Sequence, residues 1–320
     1  MKTGLLTAAA ALLLTAACGG RSADKGNAAS AEPDIVAAAF DADSAYAAVK
    51  AQVDMGPRNP GSPGHTAIIG WLLNELKRRG ADTVVLQRGE IDGVSLTNIT
   101  GSFNPSAKTR VLLAAHYDTR PWADEDPDEA NHSKPLPGAN DGASGVGVLL
   151  EIARQLGLDR PEIGVDLLFV DAEDSGDSGD NESWCKGSQF WARNVPYATD
   201  AMPRYAILLD MVGGAGARFN REYMSLGQAG AVVDKVWAIG RAIGYADIFV
   251  NDPGGPVVDD HIFIGQAGIP AIDIIECNNA ATGTFPPYWH TMADDMTAIS
   301  AKTLGAVGTT VLTTLRREKP

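Results

Sequence analysis

The stretch Val111-Leu112-Leu113-Ala114-Ala115 is a continuous apolar run, and it ends in His116-Tyr117-Asp118. A strand that is buried on both faces has this character, because neither face requires alternating polar residues. Three further short apolar runs span residues 165–170, 205–209 and 270–275. The four runs together predict the buried strands of a central sheet.

Helical patterns lie between or after these runs. Apolar residues recur at helical spacing over residues 143–156, 186–195, 230–243, 259–267 and 297–316. Two earlier helices, over 44–55 and 65–79, precede alternating strands at 83–88 and 94–100, which would add an antiparallel edge. Buried strands that alternate with helices predict an α/β fold with three layers and a central, mostly parallel, mixed sheet. We expect this single domain to span residues 34–320.

The amino terminus differs in composition from the rest of the chain. Met1-Lys2 is followed by an apolar run through Leu14 and then by Thr15-Ala16-Ala17-Cys18, which has the shape of a signal peptide. The small residues before the cysteine resemble a bacterial lipobox, although Thr15 stands where Leu is usual. We expect a lipoprotein signal peptide over 1–18 with Cys18 acylated, followed by a flexible tether over 19–33. The expected location is the periplasm or cell envelope, and a cleaved signal with secretion is the alternative.

Charge and cysteine content exclude several classes of function. The formal net charge of -14 argues against nucleic acid or an anionic membrane surface as a partner. The lipid anchor is therefore the only membrane contact that we expect. Much of the acid lies in 118–129 and 171–182, and acidic loops beside a site favour a cationic ligand or serve solubility. Apart from Cys18, only Cys185 and Cys277 are present, so one disulfide is possible but a disulfide scaffold is not.

Ionisable side chains follow three of the predicted buried strands. His116 and Asp118 follow the first strand, Glu173 and Asp174 follow the second, and Asp210 follows the third. In open α/β sheets the ligand crevice lies at the carboxyl ends of the strands. We therefore expect these groups to meet in one crevice.

Two further candidates lie on loops. Asp141 is part of Gly138-Ala139-Asn140-Asp141-Gly142-Ala143-Ser144-Gly145, and taken alone it is most simply a turn residue or a helix N-cap. His290 lies in Tyr288-Trp289-His290-Thr291, after the fourth buried run. Carboxylates that share a dry crevice repel one another, so either some are protonated or a cation holds them. Oxygen and imidazole ligands suit zinc with an open fourth position.

The order of these motifs resembles the M28 superfamily of zinc-dependent exopeptidases, and within it the glutaminyl cyclases of the bacterial periplasmic type. The motifs are His-x-Asp, Gly-x-Asn-Asp-Gly-x-Ser-Gly, Asp-x-Glu-Asp, Leu-Leu-Asp, Asp-Asp-His and Trp-His-Thr, from about residue 40 to the carboxyl terminus. The resemblance implies a zinc exopeptidase-like fold and a glutaminyl-peptide cyclotransferase, which converts the N-terminal Gln of peptides or proteins to pyroglutamate with release of ammonia. We expect the enzyme to be a monomer.

The resemblance also implies roles for individual residues. Asp141, Asp174 and His290 would bind one zinc ion, with Asp174 at a position where many members have Glu. Glu173 would be the general acid and base.

Further residues would complete the site by the same resemblance. Asp210 and Asp259 would be carboxylates that support the base or the substrate amine. Trp289 and Phe285 would be walls of the substrate pocket, and Trp184, where the correspondence is looser, another wall.

A dizinc aminopeptidase of the same superfamily is the alternative. It would bind a second metal through His116 and Asp210, and both are present. Trp289 directly before His290, together with the extension over 120–124, favours the cyclase.

Two histidines and two departures from the family pattern remain. His65 is expected to be a surface or capping residue, and His261 to be structural. Val258 stands where the family has Gln, and Asp273 stands where animal members have His, which affects substrate contacts and not metal ligands.

Overall fold

The computed structural model describes residues 35–320, which form one compact unit. The predictions of a signal peptide over 1–18, acylation at Cys18 and a tether over 19–33 lie outside the described residues. Within the described part of the chain, no helix combines the length and apolar character that crossing a membrane requires.

Helices and strands alternate along most of the chain. The α-helices of residues 35–320 are α1 (Ala42–Val53), α2 (Pro63–Arg78), α3 (Ala143–Leu158), α4 (Lys186–Arg193), α5 (Tyr223–Gly240), α6 (Asp260–Gln266) and α7 (Ala301–Arg317). The strands are β1 (Thr83–Ile91), β2 (Val94–Phe103), β3 (Arg110–His116), β4 (Gly164–Val170), β5 (Ala206–Leu209), β6 (Phe219–Arg221), β7 (Phe249–Pro253) and β8 (Ala271–Ile274).

The central sheet has six strands in the order β1-β2-β4-β3-β5-β8. Strands β4, β3, β5 and β8 run parallel, whereas β1 pairs with β2, and β2 with β4, in antiparallel fashion. The prediction of a mostly parallel mixed sheet with an antiparallel edge is therefore confirmed. Strands β6 and β7 form a separate two-stranded parallel sheet, which the sequence analysis did not anticipate.

Alternate residues of the parallel strands face two different helical layers. Val111, Leu113 and Ala115 pack into the core that includes α1, α2, α3, α5 and α7. Leu112 and Ala114 pack on the opposite face against Trp191 and Ile264 of α4 and α6. Burial of a Val or Leu side chain contributes about 1.5–3 kcal/mol, so both faces of β3 stabilise the fold. This arrangement explains why the strand reads as an unbroken apolar run.

Close packing of α3 on the sheet positions the loop before it. A Cβ at Gly145 would collide with the carbonyl oxygen of Leu209 at the end of β5, so only glycine allows this approach. The loop that carries Asp141 is thereby held beside the carboxyl ends of β3 and β5.

Helix α5 begins seven residues before the predicted start (230 against 223). The side chain of Glu222 caps it by accepting hydrogen bonds from the amides of Met224 and Ser225. Ala229, with φ -148° and ψ 39°, interrupts the helical backbone, so the periodic apolar pattern is clear only after it.

Candidate active site

The carboxyl ends of adjacent parallel strands bring the predicted polar residues together. His116 is the last residue of β3, Glu173 and Asp174 follow β4, and Asp210 follows β5. Asp259, which is the N-cap of α6, lies close to these residues. All five side chains are buried. The expectation that these strand ends form one crevice agrees with the structure.

Asp141, Asp174 and His290 form the first group of possible metal ligands. Their ligand atoms lie within 4.8 Å of one another. The Nε2 atom of His290 is 3.2 Å from Asp174 Oδ1 and 3.7 Å from Asp141 Oδ2. Among the described residues, neither buried oxygen of Asp174 receives a hydrogen bond. Two carboxylates and an imidazole with unsatisfied buried oxygens fit a zinc ion, which would supply the missing interactions.

The pKa values of the two carboxyl groups in this first group shift in opposite directions. Burial and the nearby charge of Asp141 raise the pKa of Asp174 to about 6. Burial would also raise the pKa of Asp141, but the hydrogen bond from His116 and the charges of His116 and His290 outweigh it and lower that pKa. Asp141 therefore stays ionised more readily than Asp174.

His116, Asp141 and Asp210 form a second group of possible ligands. The Nε2 atom of His116 is 3.1 Å from Asp141 Oδ1 and 3.2 Å from Asp210 Oδ1. Burial alone would lower the pKa of His116, but hydrogen bonds to Asp118, Asp141 and Asp210 raise it well above its usual value. Burial raises the pKa of Asp210 to about 7, against the opposing effect of His116. Asp141 thus presents Oδ2 to the first group and Oδ1 to the second. Either a metal ion or a protonated His116 can balance the negative charge of the second group.

The loop that carries Asp141 is held by a residue that the sequence analysis missed. Asp294 accepts hydrogen bonds from the amides of Asn140 and Asp141, at 2.8 and 3.1 Å. Helix α3 has Gly142 as its N-cap, with φ 87° and no side-chain cap bond, so the capping interpretation of Asp141 is wrong. A Cβ at Gly142 would lie 2.7 Å from the carbonyl oxygen of Asp118, which requires glycine there.

Glu173 is held in place through its backbone by Asp118. The two carboxylate oxygens of Asp118 accept hydrogen bonds from the amides of Glu173 and Asp174, at 3.0 and 3.2 Å. The preceding residue, Ala172, has φ 52°, a strained conformation that persists because these contacts determine it. Burial, followed by the charges of Asp259 and Asp174, raises the pKa of Glu173 well above its usual value, although His116 opposes the shift. A carboxyl group whose pKa is raised in this way suits a general acid and base.

Aromatic side chains enclose the space above these acids. A cavity of about 550 Å³ is lined by Trp184, Phe285 and Trp289 together with Glu173 and the first ligand group. The rings of Trp289 and His290 stack with centroids 3.6 Å apart, and Phe285 lies 4.7 Å from Trp289. Trp184 lies parallel to His290 at 6.0 Å. The structure therefore brings all three predicted wall residues to the cavity.

Arg120 supports both the wall and the ligands from beneath. Its guanidinium binds Asp124 through two hydrogen bonds of 2.7 and 2.5 Å and donates to the carbonyl oxygen of Gly176 at 3.1 Å. It lies 4.7 Å from the ring of Trp184, and Asp124 lies 3.6 Å from Nδ1 of His290. The extension over 120–124 was expected to favour the cyclase, but neither Arg120 nor Asp124 was predicted to have a function of its own.

The charged side chains that line the cavity, histidine apart, are all acidic. They are Asp141, Glu173, Asp174, Asp210 and Asp259, whereas Arg120 lies against Trp184 and is not part of the lining. Asp177, Asp180 and Glu182 are exposed on the same loop as the lining residues Ser178, Gly179 and Asn181. Such a mouth favours cationic over anionic ligands.

A buried polar group lies behind Asp259. His261 is fully buried, with Nε2 3.4 Å from Glu222 and Nδ1 3.9 Å from Asp273. Asp259, His261 and Asp273 bring ligand atoms within 4.8 Å of one another, which makes them another possible metal group. Asp259 lines the cavity but His261 and Asp273 do not, and the structural role of His261 stays a prediction.

The surface or capping interpretation of His65 is wrong. His65 is buried, its Nε2 lies 2.7 Å from Asp171, and Ser62 caps α2 instead. Asp171 follows β4 and needs a partner once the sheet covers it, which local sequence does not reveal. The two cysteines of the described chain, Cys185 and Cys277, are both buried and free, so the possible disulfide does not form between them.

Comparison with known proteins places this fold and site in a family. The sequence pattern of peptidase family M28 matches residues 98–315. The chain belongs to peptidase family M28.

Three individual proteins show which enzymes this chain is similar to. Glutaminyl cyclase from Bacteroides thetaiotaomicron, solved with N-acetylhistamine, is 47% identical with a TM-score of 0.85, and the match covers 89% of this chain and 100% of that one. A leucine aminopeptidase precursor from the same organism is 46% identical with a TM-score of 0.83, over 89% and 100% of the two chains. Glutaminyl-peptide cyclotransferase from Bos taurus is 27% identical over 271 residues, 74% of this chain and 72% of the relative.

Proposed function

We propose that this protein is a zinc-dependent glutaminyl-peptide cyclotransferase. The observation that carries the proposal is the position of the aromatic cavity directly over Glu173 and the Asp141–Asp174–His290 group. An N-terminal glutamine enclosed in this cavity would have its side-chain carboxamide folded back on its own α-amine. The two reacting groups of one residue would thereby be held together. The 47% identity to a bacterial glutaminyl cyclase supports the same conclusion.

Asp141, Asp174 and His290 would hold one zinc ion. A zinc ion held by these residues would supply a Lewis acid for the γ-carbonyl of the substrate glutamine. The unsatisfied oxygens of Asp174 and the ionised state of Asp141 support this assignment.

Glu173 would move the proton that cyclisation requires. The α-amine of the substrate forms a bond to its own γ-carboxamide carbon, the bond from that carbon to the amide nitrogen breaks, and ammonia leaves. Glu173 takes the proton from the attacking nitrogen and returns it to the leaving nitrogen, so it ends unchanged. Its raised pKa supports both halves of this transfer. Asp210 and Asp259, which are buried and line the cavity, would hold the amine.

A dizinc aminopeptidase is the second candidate function. The observation in its favour is the His116–Asp141–Asp210 group, which shares Asp141 with the first group. In that enzyme Glu173 would serve as base for a water molecule and the first peptide bond would be cleaved.

Two peptides separate the candidates. Purified protein is incubated with one peptide that begins with Gln and a matched peptide that begins with Leu, and the products are weighed by mass spectrometry. The proposal requires loss of one ammonia from the Gln peptide and no change in the Leu peptide. Release of free leucine at a comparable rate would establish the aminopeptidase instead, and metal analysis near two zinc ions per chain would agree with it.

We further infer an envelope location for a monomeric enzyme that is anchored by lipid at Cys18. The apolar run and small residues before Cys18 support this inference. Cys18→Ser should move the protein from the membrane fraction to the soluble fraction, while its sedimentation in detergent stays that of one chain.

A further inference from the structure

A buried thiol contacts the group to which we assign proton transfer. The Sγ atom of Cys185 donates a hydrogen bond to Oε1 of Glu173 at 3.2 Å. Within residues 35–320 this is the one side-chain hydrogen bond that the Glu173 carboxylate receives. Its other oxygen, Oε2, lies 4.0 Å from Nδ1 of His116. One oxygen is thus anchored and the other faces the site.

The backbone fixes the thiol in this position. The amide of Cys185 donates to the carbonyl oxygen of Glu173 at 2.9 Å, and the amide of Lys186 donates to that of Ala172 at 3.0 Å. Cys185 itself has φ 57°, a conformation that L residues rarely adopt. Gly187 packs so closely on the carbonyl oxygen of Asp171 that a Cβ would collide with it. The start of α4 is therefore fastened to the segment that carries Glu173.

The thiol is buried, and its surroundings favour the protonated form. Cys185 has no exposed surface, and burial together with the charge of Glu173 raises its pKa well above the usual value. A thiol that keeps its proton is a weak hydrogen-bond donor and a poor nucleophile. A strained backbone residue beside a functional carboxylate is a cost that other interactions must offset, and such residues concentrate at functional sites.

We propose that Cys185 is a positioning residue, whose thiol holds Oε1 of Glu173 so that Oε2 faces the substrate nitrogens. A free glutamate side chain samples several rotamers, and each unproductive orientation lowers the rate of proton transfer without changing how tightly the substrate binds. This inference rests on the proposed function, because it assigns Glu173 the transfer of a proton.

Paired substitutions test the positioning role. Cys185→Ala removes the donor, and Cys185→Ser keeps one in nearly the same place. We expect Cys185→Ala to lower kcat about 10-fold, the effect of one misaligned catalytic group, with KM within about two-fold of the wild type. Cys185→Ser should retain about a third or more of the wild-type kcat, and zinc content should be the same in all three proteins.

Cys277 supplies the matched control. It is also buried and free, but it makes no hydrogen bond to a carboxylate within the described chain. Cys277→Ser should therefore have no higher kcat than Cys277→Ala, whereas Cys185→Ser should have a clearly higher kcat than Cys185→Ala. Equal kcat for Cys185→Ala and Cys185→Ser, at either a low or a normal rate, would overturn the proposal.

A spectroscopic measurement tests the contact independently of the reaction. Raman difference spectra against the two alanine variants assign an S–H stretching band to each thiol. The band lost in Cys185→Ala should lie at lower frequency than the band lost in Cys277→Ala, because donation to a carboxylate weakens the S–H bond. Equal frequencies would overturn the contact, and thus the positioning role, even in active protein. A protein that shows the shifted band but makes no pyroglutamate would instead refute the proposed function.

Discussion

Glu173→Gln tests the assignment of proton transfer most sharply. The substitution keeps the shape of the side chain and an oxygen that can accept the thiol hydrogen bond, but it removes the capacity to carry a proton. General acid–base catalysis contributes about 10²–10⁴-fold, and because Glu173 would act on both the attacking and the leaving nitrogen, the upper end applies. We therefore expect kcat to fall about 10⁴-fold, which corresponds to about 5.4 kcal/mol at 1.36 kcal/mol for each factor of ten.

The same substitution has a predicted effect on stability with a definite sign. The pKa of Glu173 is raised in the folded protein, so the folded state binds a proton more tightly than the unfolded chain does. Stability from this group is present at low pH and is lost as the pH rises through the folded pKa. Replacement by the neutral Gln removes that loss, so the metal-free variant should melt no lower than metal-free wild type at pH 7–8.

Three measurements on purified Glu173→Gln check this reasoning: kcat for a Gln-initiated peptide, bound zinc, and the melting temperature after chelation. Turnover should nearly vanish while zinc content stays at the wild-type value. A kcat within tenfold of wild type would refute the catalytic role. Loss of zinc together with activity would show that Glu173 is a ligand and that the division between base and ligands is wrong.

Three further predictions follow from neighbouring groups. Asp294→Ala should weaken zinc binding about 10- to 100-fold in a chelator competition, because the amides of Asn140 and Asp141 lose their acceptor, whereas Asp294→Asn should weaken it less; equal affinities would contradict this. Neutralising Asp177, Asp180 and Glu182 together should lower kcat/KM for Gln-Lys peptides several-fold at low salt but hardly at high salt, while neutralising the exposed Asp159, Glu162 and Asp200, near the opposite strand ends, should not. Glu222→Gln should lower the melting temperature by about 5 °C at pH 7. Burial would raise the pKa of Glu222, but hydrogen bonds from His261, Ser225 and Met224 lower it from 4.5 to about 2. The difference in melting temperature between variant and wild type should therefore shrink as the pH falls from 4.5 to about 2, because the wild-type carboxylate becomes protonated. A difference that stays constant over this range would contradict the prediction.

The sequence predicted those parts of the fold that local pattern determines. The run over 111–115 indicated a strand that is buried on both faces, and helices do cover both faces of β3. Such a strand has no polar face, so its apolar run is visible in the local sequence. Ionisable residues directly after such runs indicated the site, since parallel strands bring their carboxyl ends to one edge. The resemblance then supplied roles that spacing alone does not reveal, and it placed Trp184 at the cavity although the correspondence there was loose.

What the sequence did not indicate depends on contacts between distant residues. Asp294 acts on amides more than 150 residues away, at positions 140 and 141, and no local pattern records that partner. His65 was predicted to be a surface or capping residue, whereas its ring is buried against Asp171, which is 106 residues away. Cys185 carries no motif, and its contact with Glu173 arises only once α4 packs on the end of β4.

The fate of solvent oxygen tests the proposed reaction most directly. Cyclisation expels ammonia and uses no water, whereas cleavage of a peptide bond places one solvent oxygen in a new carboxylate. A Gln-initiated peptide is therefore incubated with the zinc-loaded protein in water labelled with heavy oxygen, and the products are analysed by mass spectrometry. Cyclisation should give an intact peptide that has lost one ammonia and carries no label. Free glutamine that carries the label, with a peptide shortened by one residue, would contradict it.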